Sequence, residues 1–305
     1  MEDKPLPKTA ILILNWKKVE ATLRCIESIE KSEQVDFEIF LLDNESTDKS
    51  FKKLKQKLKI IGCTTNLFSS AQNLGFTGGI NYLINKIDLN QYNYSFLLNN
   101  DAKINAQTLE NLIEQGNALK CHIIGPKTHS SKNGPSRRWP LWLFGIKVPY
   151  KFDPESQSWP TCNVDGSGVL LSSKLVKLII SQRGKLMDSR YFLYGEDTEL
   201  GLFAARLGYD SRVTSKATIY HQRNTYPTEK RRGLTYYYTT RNRIFLANRY
   251  LHPLLYPVFI IYYVISRLLI SSLNLIKNKH EYARAIMHGL IDGFRNKIGK
   301  WKAHK

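Results

Sequence analysis

The 305-residue chain reads as an α/β fold with a mostly parallel central sheet, followed by a helical, membrane-associating C-terminal region. Three observations lead there. Short apolar runs alternate with segments whose apolar residues recur at helical spacing. The runs are continuous, as in strands covered on both faces. Polar residues stand directly behind several runs, where open α/β sheets bind ligands beyond the carboxyl ends of their strands.

The elements follow in order. TAILIL (9–14) predicts a buried strand, closed by Asn15 and Trp16. Leu23, Ile26 and Ile29 predict a helix over 19–31. FEIFLL (37–42) is a second strand running into DNESTD, and a Lys-rich helix follows over 48–59. A short third strand is predicted over 60–65, then the loop NLFSSAQNLGFTGG, then a helix over 79–87. YSFLLNND is the next strand. Residues 126–163, proline-rich and carrying SRRWPLWLFG, read as a long loop or flap, a kind of segment that is often a functional lid. Residues 164–181 give a glycine-broken turn, a strand and a helix. YFLYGEDTELGLFAARLG (191–208) is a loop leading into a helix that stops at Gly208, and TIYHQ (218–222) ends another apolar run.

The C-terminal quarter differs in composition. Residues 222–305 hold 16 lysines and arginines against 3 acids, a balance of +13 within the whole chain's +19. LLYPVFIIYYVISRLLISSL (254–273) carries one charge, Arg267, and is long enough to cross a bilayer core of about 30 Å. Pro257 and Arg267 argue against a simple span. A later helix over 281–301 puts Tyr282, Ile286, Leu290, Phe294 and Ile298 on one stripe among Arg284, Arg295, Lys297 and Lys300, the pattern of a helix lying in a membrane interface. A buried helical layer or a homodimer face is the alternative. Long apolar runs among the charges exclude simple nucleic-acid binding, which needs mainly Lys and Arg against phosphate. MEDKPLPKT lacks the apolar stretch of a signal peptide, and Cys25, Cys63, Cys121 and Cys162 form no Cys-x-x-Cys pair. The expected setting is therefore the reducing cytoplasm, with the protein peripheral on the inner face of the cell membrane.

Several residues could carry chemistry. Asn99, Asn100 and Asp101 end a strand and suit either a turn or a cation site, since Asp101 offers an oxygen to a hard divalent ion. His221 could add a second ligand or be structural. Glu196 and Asp197 open a helix, where acids are favoured by the dipole, or they supply a general base. Arg137, Arg138 and Trp139 in the flap are either exposed surface or contacts to an acceptor.

The segments ILILNW, LLDNESTDKS, NLGFTGGIN, FLLNND, VDGSGVLL, YFLYGEDTELGLFAARLGY and IYHQ stand in this order across 9–222. Together they resemble inverting glycosyltransferases of family 2 with the GT-A (Rossmann-like) fold. YYYTTRNRIF and the basic, apolar tail resemble the rhamnosyltransferase-like branch, whose members build surface polysaccharides. The resemblance implies a catalytic domain over 1–225, with a nucleotide-binding half (1–105) and an acceptor half (106–225), before the helical region at 226–305. It implies that Asn15, Asp43 and Asn44 line the nucleotide pocket and that Asn73, Gly75 and Gly79 form the donor loop. Asn99-Asn100-Asp101 matches the Asp-x-Asp motif, with Asn99 in place of the first acid. Asp101, His221 and the donor diphosphate would share a divalent metal, Mg²⁺ or Mn²⁺. Gly166, Ser167 and Gly168 would border the sugar, and Asp197, beside Glu196, would be the catalytic base. The implied donor is a dTDP- or UDP-linked sugar, with rhamnose favoured. The implied acceptor is a lipid-linked glycan met at an anionic membrane surface. A non-catalytic, membrane-bound adaptor that keeps the nucleotide fold is the competing reading.

Overall fold

The computed structural model describes residues 6–45, 48–129, 144, 157–221 and 229–302. Its centre is a mixed, mostly parallel sheet. β1 (Lys8–Asn15), β2 (Asp36–Asn44), β3 (Thr65–Ser70) and β4 (Tyr94–Asn99) lie side by side in the order β3-β2-β1-β4, all parallel. β5 (Ala102–Ile104), β6 (Ile123–Thr128), β7 (Ser158–Thr161), β8 (Gly168–Ser172) and β9 (Ser211–His221) extend the sheet, with β8 antiparallel to both β4 and β6.

Alternation along the strands feeds two cores. Ile11 and Ile13 of β1 face α1 (Val19–Ile29), α2 (Asp48–Ile61) and α4 (Thr108–Ala118). Ala10 and Leu12 face α3 (Gly75–Ile84), α5 (Ser173–Arg183) and α6 (Glu196–Arg206). Both faces are covered, so residues 10–14 of the run are all apolar. Burying a Leu or Ile of this kind contributes about 1.5–3 kcal/mol. A further layer, α7 (Glu229–Tyr250), α8 (Tyr256–Ile276) and α9 (His280–Phe294), packs on Tyr191, Cys162 and Leu202.

Four expectations need correction. The third strand is Thr65–Ser70, not 60–65, because α2 runs on to Ile61 and Gly62, at φ +74°, ends it. As the edge strand of the sheet, β3 keeps polar residues and so reads as loop. The helix expected over 79–87 starts at Gly75, its glycines being set by close packing and not by flexibility. The flap's ends are ordered: β6 takes residues up to Thr128 and β7 takes Ser158–Thr161. α9 ends at Phe294, and its Tyr282, Ile286 and Leu290 are buried, so only Phe294 and Ile298 of the expected interfacial stripe are exposed. The exposed apolar surface lies on α8 instead, at Val258, Ile261, Ile265, Leu269 and Ile276.

Candidate active site

The polar strand ends meet along one rim. β1 and β2 are in register at Asn15 and Asp43. Asn15 is fully buried, and its amide Nδ2 donates to Asp43 Oδ1 at 2.8 Å. Its Oδ1 accepts from Thr22 Oγ1 at 2.8 Å and from the Lys18 backbone N–H at 3.3 Å. All of Asn15's polar atoms are therefore engaged inside the protein, and it bears on the rim through Asp43.

Asn44 shapes the following loop. Its Oδ1 accepts from Leu74 N at 2.8 Å, and its Nδ2 donates to Gly75 O at 3.1 Å and Asn73 Oδ1 at 3.4 Å. Asn73 Oδ1 also accepts from Gly75 N. Gly75 has φ +71°, and a Cβ there would overlap the Phe192 carbonyl. A Cβ on Gly79 would lie 2.8 Å from Leu14 Cδ1. The space these two glycines spare is filled by protein, so within the chain they seat α3 against β1 and the 191–194 segment.

At the end of β4, Asn100 Nδ2 donates to Thr22 Oγ1 at 2.9 Å. β5 pairs with β9 so that Ala102 is opposite His221, which puts Asp101 beside that histidine. His221 Nε2 lies 2.9 Å from Asp101 Oδ1, and Lys18 Nζ donates to Asp101 Oδ2 at 3.1 Å. Burial pushes the Asp101 carboxyl up, but the His221 hydrogen bond, its charge and the Lys18 ammonium outweigh this and hold it at about 2. His221 Nδ1 is buried with no hydrogen-bond partner among the described residues. Among the described residues no three His, Cys, Asp or Glu side chains converge. A carboxylate oxygen in contact with an imidazole nitrogen suits two positions on a divalent ion, and the remaining positions would fall to donor oxygens and water. Beside Asp101 a cleft of about 450 Å³ opens, lined by Lys17, Lys18, Arg24 and Lys53 and by Glu20, which pairs with Lys53 at 3.5 Å; its size and its excess of cations suit phosphate groups.

The acid pair sits across a short backbone bridge. Asn99 N–H donates to Ser167 O at 3.1 Å, and Gly168, next in the chain, pairs with Leu98. Gly166 packs against Asp197, where an added Cβ would lie 3.7 Å from the Asp197 Cβ. Ser167 N–H donates to Asp165 Oδ1 at 3.0 Å, and the Ser167 hydroxyl is buried without a partner among the described residues. Gly195, at φ +91°, starts α6 and places Glu196 and Asp197 in its first turn. Glu196 is buried, and burial followed by the neighbouring Asp197 charge pushes it up to about 8. Burial also pushes Asp197 up, to about 6; the Thr198 N–H, 2.7 Å from Asp197 Oδ1, and the Gly166 N–H draw it back, while Asp165 adds to the rise. Burial thus raises both carboxyls toward neutrality, and as neighbours they titrate as a pair able to give and take a proton there.

Arg137, Arg138 and Trp139 lie outside the described residues. Lys18, Thr22 and Asp165 were not singled out in the sequence. Lys18 lies three residues beyond β1, one helical turn before Thr22 and two before Cys25, and that spacing is the available signal.

The parallel strand ends thus bear one set of polar groups, and the mixed half of the sheet beside them carries the acid pair. Residues 11–179 match Glycosyl transferase family 2, and the chain belongs to that family. The fold agrees with solved glycosyltransferases. The mannosyltransferase PcManGT from Pyrobaculum calidifontis, in complex with GDP-Man and Mn²⁺, aligns at TM-score 0.61 and 11% identity over 96% of this chain and 89% of its own. GalNAc-T7 with UDP, GalNAc and Mn²⁺ aligns at TM-score 0.57 and 14% identity over 81% of this chain. The alignment spans about half, 51%, of the GalNAc-T7 chain. No curated protein sequence matches.

Proposed function

We propose that the chain is an inverting glycosyltransferase that moves a sugar from a nucleoside-diphosphate donor to a lipid-linked glycan on the cytoplasmic face of a membrane. The observation that carries this is the juxtaposition of two sites joined by the Asn99–Ser167 backbone bond: the Asp101–His221 pair at one end and the Glu196–Asp197 pair, packed on Gly166, at the other. Rhamnose from a dTDP donor is the favoured substrate, on the resemblance of the YYYTTRNRIF region, with UDP-linked hexoses next.

Asp43, held by Asn15, takes the base or ribose. Lys18 and the cleft cations take diphosphate charge. Asp101 and His221 would hold Mg²⁺ or Mn²⁺ together with the diphosphate. The ion, when bound, neutralises charge on the departing nucleotide as a Lewis acid. Asp197, ionised above pH about 6, accepts the proton of an acceptor hydroxyl as that oxygen attacks the anomeric carbon, a single displacement that inverts configuration. Glu196 stays neutral beside it at pH 7 and leaves Asp197 free to ionise.

The membrane reading rests on α8. Its inner face buries Phe259, Tyr263, Ser271 and Asn274, and its outer face exposes Val258, Ile261, Ile265, Leu269 and Ile276. By length and composition it is the one helix among the described residues that could cross a membrane. One face packed on protein and one apolar face free favours lying in the membrane plane. The exposed Lys277 and Lys279 at its C-terminal end would meet anionic headgroups, each adding about 1 kcal/mol near the surface, whereas Arg267 turns inward over the Tyr263 ring.

The test is nucleotide release from a panel of UDP-, GDP- and dTDP-sugars with Mg²⁺ or Mn²⁺, alone and with lipid-linked acceptors. Asp101→Ala should lose metal-dependent donor binding. Asp197→Asn should keep donor binding and lose transfer, and wild-type transfer should fall as pH drops through about 6. Wild-type transfer by Asp197→Asn, or no donor bound at all, overturns the proposal, and the latter favours the adaptor.

A further inference from the structure

We propose that Asn242, in the RN pair of YYYTTRNRIF, is a positioning residue that sets the turn presenting Glu196 and Asp197. This rests on the reading of Asp197 as the base.

The turn is unusual. Tyr194 has φ +65° and Gly195 has φ +91°, two successive left-handed residues immediately before the acid pair. Left-handed backbone at a tyrosine costs about 1 kcal/mol or more and persists only where its surroundings impose it. Those surroundings come from two helices. On one side, α3 supplies the Phe76 N–H to Phe192 O at 2.8 Å and the Thr77 hydroxyl to Tyr191 O. On the other, α7 supplies Asn242, whose Nδ2 donates to Leu193 O at 2.9 Å and to Tyr194 O at 2.6 Å. Four consecutive carbonyls, 191 to 194, are thereby held from α3 and α7, the last two by one amide.

Asn242 is itself locked. It is 1% exposed, and its Oδ1 accepts from Arg241 Nε at 2.9 Å. Only one amide orientation serves both duties, oxygen to the guanidinium and nitrogen to the carbonyls. Arg241 is fully buried among the Tyr237, Tyr238 and Phe245 rings, and it also donates to Arg190 O at 3.3 Å and to Gly299 O at 2.8 Å. Phe192 stacks on Tyr238 at 5.6 Å, and Tyr191 meets Phe245 edge-on. The motif thus shapes the segment from behind, with Arg241 fixing Asn242 and Asn242 fixing the turn. A shift of about 1 Å in a base can cost about a hundredfold in rate, and losing a supporting partner commonly costs 10–100-fold.

Asn242→Asp in the full chain is the decisive variant. It keeps volume and the acceptor for Arg241, now as an ion pair, and loses both donors. It is compared with wild type and Asp197→Asn for nucleotide release from the UDP-, GDP- and dTDP-sugar panel with Mn²⁺ across pH, and for backbone amide exchange, which requires no donor. Expected are a kcat at least about tenfold lower with the nucleotide-sugar KM within about twofold, a displaced acid limb, and faster exchange at Phe76 and 192–199 with β1 and β4 unchanged. Wild-type exchange in that segment, or a wild-type kcat and acid limb, overturns the proposal. So does a kcat loss that merely tracks the unfolded fraction, with exchange raised throughout. If Asp197→Asn retains full release, the base reading has failed instead, and the exchange pattern alone decides whether Asn242 holds the turn.

Discussion

Replacing Glu196 with Gln tests the buried acid pair without a substrate. The folded chain holds the Glu196 proton more tightly than the unfolded chain, with the carboxyl at about 8 against an ordinary value of 4.5. Its contribution to folding is therefore complete below pH about 4.5 and is lost as pH rises toward 8. The gap corresponds to about 3–5 kcal/mol, at about 1.4 kcal/mol for each pH unit. Glutamine carries no such dependence and matches the neutral acid in shape. Glu196→Gln should thus gain about 3–5 kcal/mol on wild type between pH 4.5 and 9. Urea unfolding of both proteins at intervals across that range measures it directly, since contributions from other groups largely cancel. The acid limb of transfer should stay near pH 6, because Glu196 is already neutral there. Parallel unfolding curves for the two proteins, or a larger loss in the variant at high pH, would refute the claim that Glu196 is held as the neutral member.

Two further outcomes follow from packing. A Cβ on Gly201 would stand 2.5 Å from the Cys162 carbonyl, which as backbone cannot swing aside. Gly201→Ala should cost about 1–3 kcal/mol in urea unfolding and, by pushing α6, lower transfer as well. On α8, Ile261, Ile265 and Leu269 are 64%, 53% and 61% exposed. Changing all three to Asp should leave thermal stability nearly unchanged while cutting co-sedimentation with phosphatidylglycerol vesicles at least tenfold, at about 1.5–3 kcal/mol of apolar contact per residue; undiminished sedimentation would point to the homodimer face instead.

What was legible in the sequence follows a physical line. Strands buried on both faces announce themselves as unbroken apolar runs, so β1, β2 and β4 and the polar groups at their ends were readable. β3 was not, since an edge strand with TNLFSS lacks that run. Gly75 and Gly79 look like a flexible loop in one dimension and become close-packing positions only when Phe192 and Leu14 arrive. The apolar stripe of α9 has the right period for an interface, but period alone does not say whether protein or lipid covers it, and here α7 does.

The same line explains why YYYTTRNRIF, read alone, assigns no role to Arg241 or Asn242. A motif at a strand end can be read from its neighbours in sequence, because the strand aims it. Asn242 acts on carbonyls 48 and 49 residues away, and nothing local to YYYTTRNRIF reveals them. A buried asparagine with both amide hydrogens and its oxygen engaged leaves little freedom to the backbone it holds. Because α9 closes over the same motif, with the Tyr237 hydroxyl donating to Asp292 at 2.6 Å and Trp301 stacked on Tyr237, the helical layer cannot shift on the sheet without moving the turn before Glu196. The segment that would meet the membrane and the segment that would take the proton are therefore two sides of one packed unit. Truncating the C-terminal helices would accordingly disturb the acid pair along with membrane contact, and only surface substitutions on α8 separate the two.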